Sequence, residues 1–162
     1  MTKEELKQFE LKPEVNKYQL LLDGGVEYIE GIDDRARWEE VIDALNIMNF
    51  SPDDILLIKQ TVAGMLLMGN FIFEKETHVT EKVKIQNRKI LTSVSKLLKI
   101  DETKLEYSLT KRTVNAKGDS VEVNLTLDEA TQAKKSFVKV STVSLDCSYT
   151  VFRLYMEDYS TG

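Results

Sequence analysis

The stretch Ser51–Asn70 reads SPDDILLIKQTVAGMLLMGN, and it decides the fold. Ser51 is a cap residue whose side-chain oxygen can accept from an amide of the first turn. Pro52 suits the first helical position, where no donor is needed, and Asp53 and Asp54 suit the positive end of the helix dipole. From Ile55 to Met68 apolar residues fall on every side of the helix, and Gly69-Asn70 predicts a left-handed stop. A helix that is apolar all round has to lie in a core. The apolar run Ala63–Met68 is far shorter than the roughly 20 residues of a membrane span.

Immediately upstream, Asp33-Asp34 caps a second helix, with Trp38, Val41, Ile42, Leu45 and Met48 at steps of three and four. The short link Asn49-Phe50 predicts that the two helices form an antiparallel hairpin with Trp38 in its seam. Further out, Thr2–Lys12 predicts a short peripheral helix carrying Leu6, Phe9 and Leu11 and ended by Pro13. Tyr18–Leu22 is an apolar run stopped by Asp23-Gly24-Gly25, after which Val26, Tyr28 and Ile32 alternate as in a short strand.

Downstream, Phe71–Phe73 is apolar and Glu74–Lys84 reads as a charged loop. Helical spacing resumes from Lys84 to Leu98, and Asp101 caps a short helix bearing Leu105 and Leu109. Thr110–Val114 and Ser120–Leu125 flank Asn115–Gly118 as a β-hairpin. A last helix starts at Leu127 and runs to about Val140 with Ala130, Ala133, Phe137 and Val138 on one face, whereas Ser141–Gly162, rich in Ser, Thr, Val, Tyr and Phe, suits a strand better. The fold class expected is therefore mainly α, a helical subdomain with a helical hairpin core and one short β-hairpin. The organisation expected is a helical unit over 5–140 and a divergent tail over 141–162.

At 162 residues the chain has the length of one ordinary domain. Its net charge of -5 argues against nucleic-acid binding as the main activity, which needs a concentrated basic face. A single cysteine, Cys147, makes no internal disulfide, and the opening Met1-Thr-Lys-Glu-Glu lacks a signal-peptide core; both point to a cytoplasmic protein without a membrane span. A single histidine, His78, and a single cysteine argue against a Cys–His pair or a zinc site of usual composition, and a lone loop histidine is ordinarily solvated. The pairs Asp33-Asp34 and Asp53-Asp54 sit where helices need caps, which outweighs a metal or acid–base reading. Gly24-Gly25 lacks the spacing and the lysine of a phosphate-binding loop, so no cofactor site is expected. Met48, Met65 and Met68 read as core filling before they read as a peptide groove.

Several runs together carry a resemblance. Gly31-Ile-Asp-Asp34, then WEEVIDALNIMNF from Trp38 to Phe50, then Ser51-Pro-Asp-Asp54 and VAGMLLMGNFIF from Val62 to Phe73, resemble successive segments of the myosin motor head. The likeness continues through Leu97–Asp101, LEYSLTKRT (Leu105–Thr113) and LTLDEATQAKKSFVK (Leu125–Lys139), so that it covers about Glu5–Val140. The departures are Ser136-Phe137-Val138 in place of the small residues of the family's D-A-L-A-K-like motif, no Gly before Phe50, and no recognisable continuation of the family's long helix after Val140.

The resemblance implies a fragment of a P-loop motor head, corresponding to the upper part of the actin-binding cleft. The family hydrolyses ATP with Mg2+, but its phosphate loop, switches, converter and lever arm have no counterpart here, so this chain alone is expected to be inactive as an ATPase. It further implies two contact loops for an actin filament: Glu74–Lys84, with Lys75 and Lys82, and Lys111–Val123, with Arg112, Lys117 and Asp119. Asp119 lies sixteen positions before Lys135 (135 minus 16), where the family carries an acidic or phosphorylatable residue. The implied partners are the actin filament and the remainder of a myosin head, in a cytoskeleton-associated setting. Two alternatives stay open: a piece of a complete actin-activated ATPase truncated by the gene model, and an independent helical adaptor.

Overall fold

The computed structural model describes residues 1–25, 29–76, 82–116 and 119–147. Helix α1 is Lys3–Gln8, followed by a 3-10 turn at Val15–Lys17; α2 is Gln19–Leu22, α3 Asp34–Ile47 and α4 Pro52–Gly69. Strands β1 (Phe73–Lys75) and β2 (Val83–Ile85) precede α5 (Arg88–Leu98) and α6 (Glu102–Thr110); β3 (Lys111–Ala116) and β4 (Asp119–Asn124) lead into α7 (Leu127–Cys147).

Helix α4 begins as its sequence dictates. Asp54 N donates to Ser51 Oγ at 3.2 Å and Ser51 N to the Asp54 carboxylate at 3.1 Å, a reciprocal capping box with Pro52 at the first position. Most of the helix from Thr61 onward is buried, and it packs chiefly against α5 and α7. Its end differs from the expected left-handed stop, because Asn70 has φ -84°. Gly69 is required for space instead: a Cβ there would lie 2.4 Å from Leu20 Cγ, so α2 rests directly on the glycine. The carbonyls left over are taken up by Lys134 on α7, whose Nζ stands 2.8 Å from Gly69 O and 3.2 Å from Phe71 O. Burial pushes the Lys134 amine below its ordinary pKa.

Asn70 and Asn87 tie this end to its neighbours. Asn70 Nδ2 donates to Lys17 O at 2.7 Å and its Oδ1 accepts from Gln19 N at 2.8 Å, while Asn87 Nδ2 donates to Asn70 O at 2.7 Å. Two amide side chains thereby do for α2, α4 and β1 what a regular ladder would do.

The core holds Met68 and Phe71 from α4 and its exit, Ile85 from β2, Leu91, Val94, Leu97 and Leu98 from α5, and Leu105 and Leu109 from α6. Phe9 enters it from α1 with 1% of its surface exposed. The first helix therefore ends before Pro13: Phe9 is its C-cap, and Glu10, at φ 56°, turns the chain and binds Ser93 on α5. Helix α1 is also pinned to α4 by an ion pair between Glu5 and Lys59, both largely shielded. The Lys59 hydrogen bond holds the Glu5 carboxyl below its ordinary pKa. A lowered folded pKa gives stability that is present above the unfolded value, 4.5, and is lost as pH falls through the folded one. Lys59→Gln should therefore remove about 1 kcal/mol at pH 7 and much less near pH 3, as followed by urea unfolding at both pH values.

Helix α3 follows its pattern in outline, with Asp33 accepting from Arg35 N at 2.9 Å and Ala36 N at 3.2 Å. Asn49, at φ 60°, supplies the left-handed residue that the missing glycine would have provided, and Phe50 N closes onto Leu45 O at 3.1 Å. The expected seam does not form, however. No residue of α3 is buried, Trp38 is only half-buried, and Val41, Ile47 and Met48 are exposed. Helix α4 satisfies its apolar faces with α5 and α7, which leaves the stripe on α3 largely uncovered.

Three further expectations change. The apolar run Tyr18–Leu22 forms α2 from Gln19, and Tyr18, its buried N-cap, exchanges hydrogen bonds with the Lys12 backbone; of the strand expected over Val26, Tyr28 and Ile32, residues 26–28 lie outside the described residues and Ile32 closes a turn, its N donating to Ile29 O at 3.2 Å. The segment Glu74–Lys84, expected to be loop, is flanked by a second hairpin, β1 paired with β2, in which Phe73 faces Ile85 and Lys75 faces Val83, so the helix expected from Lys84 begins only at Arg88. Residues 141–147, read as strand, extend α7. A helix already formed propagates through Ser, Thr and Val at small cost per residue, whereas a strand needs a partner.

Candidate interaction surface

The hairpins β1–β2 and β3–β4 share a root. Val83 of β2, Leu125 just after β4 and Ala130 of α7 form a small buried cluster against which Phe73, Leu127 and Ala133 pack. Leu125 N closes the base of the second hairpin onto Thr110 O at 2.8 Å. The two segments implied as contact loops, 36 positions apart from Lys75 to Lys111, are thus mounted on one support.

On β1–β2, Lys75 and Lys82 are exposed, and Glu76 N reaches Lys82 O at 2.8 Å where the strands part. Glu74 and Lys84, directly opposed, pair at 3.3 Å. His78 falls outside the described residues.

On β3–β4 the register is Lys111–Asn124, Arg112–Val123, Thr113–Glu122, Val114–Val121, Asn115–Ser120 and Ala116–Asp119. Alternation along the strands puts Arg112, Val114, Val121 and Val123 on one face. Val114 and Val121, opposed across the ladder, are 39% and 50% exposed. Lys111 belongs to the other face, where Nζ lies 3.2 Å from Glu122 and 5.1 Å from the centre of the Tyr107 ring. Hydrogen bonds from Tyr107 and then Lys111 hold the Glu122 carboxyl below its usual range. Arg112 is exposed, with Nη2 at 3.9 Å from Glu129 Oε1 on the first turn of α7. Of the remaining candidates, Asp119 opens β4 opposite Ala116, and Lys117 lies outside the described residues.

Glu129, Glu122 and Tyr107 were not among the expected site residues. Glu129 had a signal: Thr126-x-x-Glu129 is a capping-box spacing, and Glu129 Oε2 does accept from Thr126 N at 2.9 Å and Thr126 Oγ1 at 3.0 Å. Those bonds, Thr126's backbone first, keep its carboxyl below the ordinary pKa. Glu122 and Tyr107 had none, because the register and the placement of α6 bring them to Lys111.

Among the described residues no group of His, Cys, Asp and Glu is placed to hold a metal ion. Among them, too, no helix is long and apolar enough to cross a membrane. What the surface offers is two rooted hairpins presenting Lys75, Lys82 and Arg112 beside exposed valines.

A family profile described as Myosin head (motor domain) matches residues 1–145. Among individual proteins, unconventional myosin-Ic-A of Xenopus laevis is 31% identical over 134 residues, which is 83% of this chain and 13% of that protein. Unconventional myosin ID of Drosophila melanogaster is 30% identical over 135 residues, with the same shares of the two chains. Unconventional myosin-Ib of Rattus norvegicus is 29% identical over 141 residues, or 85% of this chain and 12% of that protein. The chain thus spans about an eighth of the length of these relatives.

Proposed function

Since the chain belongs to the myosin head (motor domain) family, we propose that it works as a segment of an actin-based motor head, and that its own part is to touch the actin filament through β3–β4, assisted by β1–β2. The observation that carries this reading is the common root of the two hairpins, which sets exposed Arg112, Lys75 and Lys82 on one support. Actin is acidic, so such a surface steers encounter electrostatically and adds modest affinity per contact. Asp119, at the position where the resemblance implies an acidic or phosphorylatable residue, orients the loop or pairs with a basic group of the filament.

ATP hydrolysis falls to other parts of a head. Gly24-Gly25 is no phosphate cradle, and we assign no nucleotide or Mg2+ site to this segment. The half-exposed stripe of Trp38, Val41, Ile42 and Leu45 on α3 fits a surface that the remainder of a head covers. On this reading the protein acts in the cytoplasm, on the cytoskeleton.

Cosedimentation of the chain with F-actin at low salt, beside an Arg112→Ala, Lys117→Ala double variant, tests the contact. The double variant should bind about three- to tenfold more weakly, and the difference should shrink as salt shortens the Debye length to about 8 Å and below. Equal binding by both proteins would exclude the hairpin as the electrostatic contact.

A further inference from the structure

We propose that Glu129 is a positioning residue that holds Arg112 in the place of a filament carboxylate, so that binding an acidic partner is an exchange of one carboxylate for another; this rests on the filament-contact reading above. The geometry suits an exchange. Glu129 Oε2 is committed to the start of α7, accepting from both the Thr126 amide and the Thr126 hydroxyl. Glu129 N in turn donates to Thr126 Oγ1 at 3.3 Å, so the side chain is fixed from both ends. Only Oε1 is left toward the hairpin, 3.9 Å from Arg112 Nη2.

That distance lies beyond a hydrogen bond, and both side chains are about half exposed, 58% and 43%. The guanidinium is held by charge alone, through one oxygen, and its forked donors are unsatisfied by Glu129. A partner carboxylate that approaches in the plane of the fork makes two short charge-assisted bonds and displaces it. Lys111 contrasts with this arrangement, since Glu122 at 3.2 Å and the Tyr107 ring hold it more closely. Of the two cations described at the root of the hairpin, Arg112 is therefore the one that can be given up. Because Glu129 is anchored in the first turn of a 21-residue helix, it restrains Arg112 on the face that also carries Val114 and Val121. It therefore orients the cation while lowering its net attraction for an acid.

Glu129→Gln separates the two roles, since Gln at this position keeps the capping box and loses the charge. Filament cosedimentation of the parent chain, Glu129→Gln, Arg112→Ala and the double variant forms a cycle. Glu129→Gln should bind roughly two- to fivefold tighter than the parent at low salt, the range of an exposed ion pair. The gain should disappear in the Arg112→Ala background and at high salt, while the unfolding midpoint stays that of the parent. A gain that persists without Arg112, or no gain at all while Arg112→Ala weakens binding, overturns the role of Glu129 and leaves the contact standing. Arg112→Ala binding as well as the parent overturns the contact itself. Independently of the filament, the Nε–Hε resonance of Arg112 in the free protein should shift on Glu129→Gln, and an unmoved resonance would show that the two groups do not interact.

Discussion

Phe9→Ala should lower the unfolding free energy by about 3–5 kcal/mol, the range for deleting a fully buried phenyl ring. Phe9 is among the largest side chains with less than 2% of their surface exposed, and it is the one that α1 contributes to the core. A six-residue helix has no stability of its own, since so few turns do not repay nucleation. What keeps α1 in place is Phe9 together with the Glu5–Lys59 pair and the Glu10–Ser93 bond. Losing the ring thus costs both its own burial and the alignment of those polar contacts. For a chain of this size the midpoint should fall by roughly 2–4 °C for each kcal/mol, which thermal unfolding followed by circular dichroism measures directly. A loss under about 1 kcal/mol would mean that α1 detaches without disturbing the rest.

The second large effect lies where α4 meets α5. Leu98→Ala should cost about 2–5 kcal/mol, because Leu98 is buried and its neighbours are helices with little room to collapse. Its branched end faces Gly64: a Cβ on Gly64 would lie 2.7 Å from Leu98 Cδ2 and 2.9 Å from Cγ. Gly64→Ala alone should therefore overpack the site, at about 1–3 kcal/mol, partly offset by the better helix propensity of alanine. In the Leu98→Ala background the same methyl enters the vacated space, and the sign should reverse. Denaturant unfolding of the four proteins of this cycle should give a coupling of about 0.5–3 kcal/mol. Simple additivity would show that the helices adjust their separation instead.

Local patterns were legible wherever a residue acts on its own turn. Ser51 and Asp54, Asp33 and Asp101 all cap where their spacing placed them, and Val114 pairs with Val121 as alternation requires. Partnership between elements was less so. The stripe on α3 has the right period for a seam, but period says only which face is apolar, and α4, apolar all round, had two better partners in α5 and α7. The β1–β2 hairpin was hidden because each strand is three residues long and no Gly or Pro marks the turn between them. At the proposed site, Arg112, Lys75 and Lys82 were named from likeness to a family and not from any local pattern. That carboxylates restrain the basic side chains was not readable: the capping box marks Glu129 as a helix start, but Glu122 and Glu129 meet Lys111 and Arg112 only through strand register and the start of α7.

One side chain reaches across much of the chain. Lys134 completes the end of α4, yet it is added 65 residues after Gly69. At roughly 5–20 residues per second, a ribosome needs about 3–13 s to cover that distance. Over that interval α4 exists with α7 still incomplete and without Lys134 to take up the carbonyls at its end. Birth order therefore opposes the core order here: the helix that α2, α5 and α7 pack against is made early and finished late, and the nascent chain has to be kept from other apolar surfaces until its own arrive.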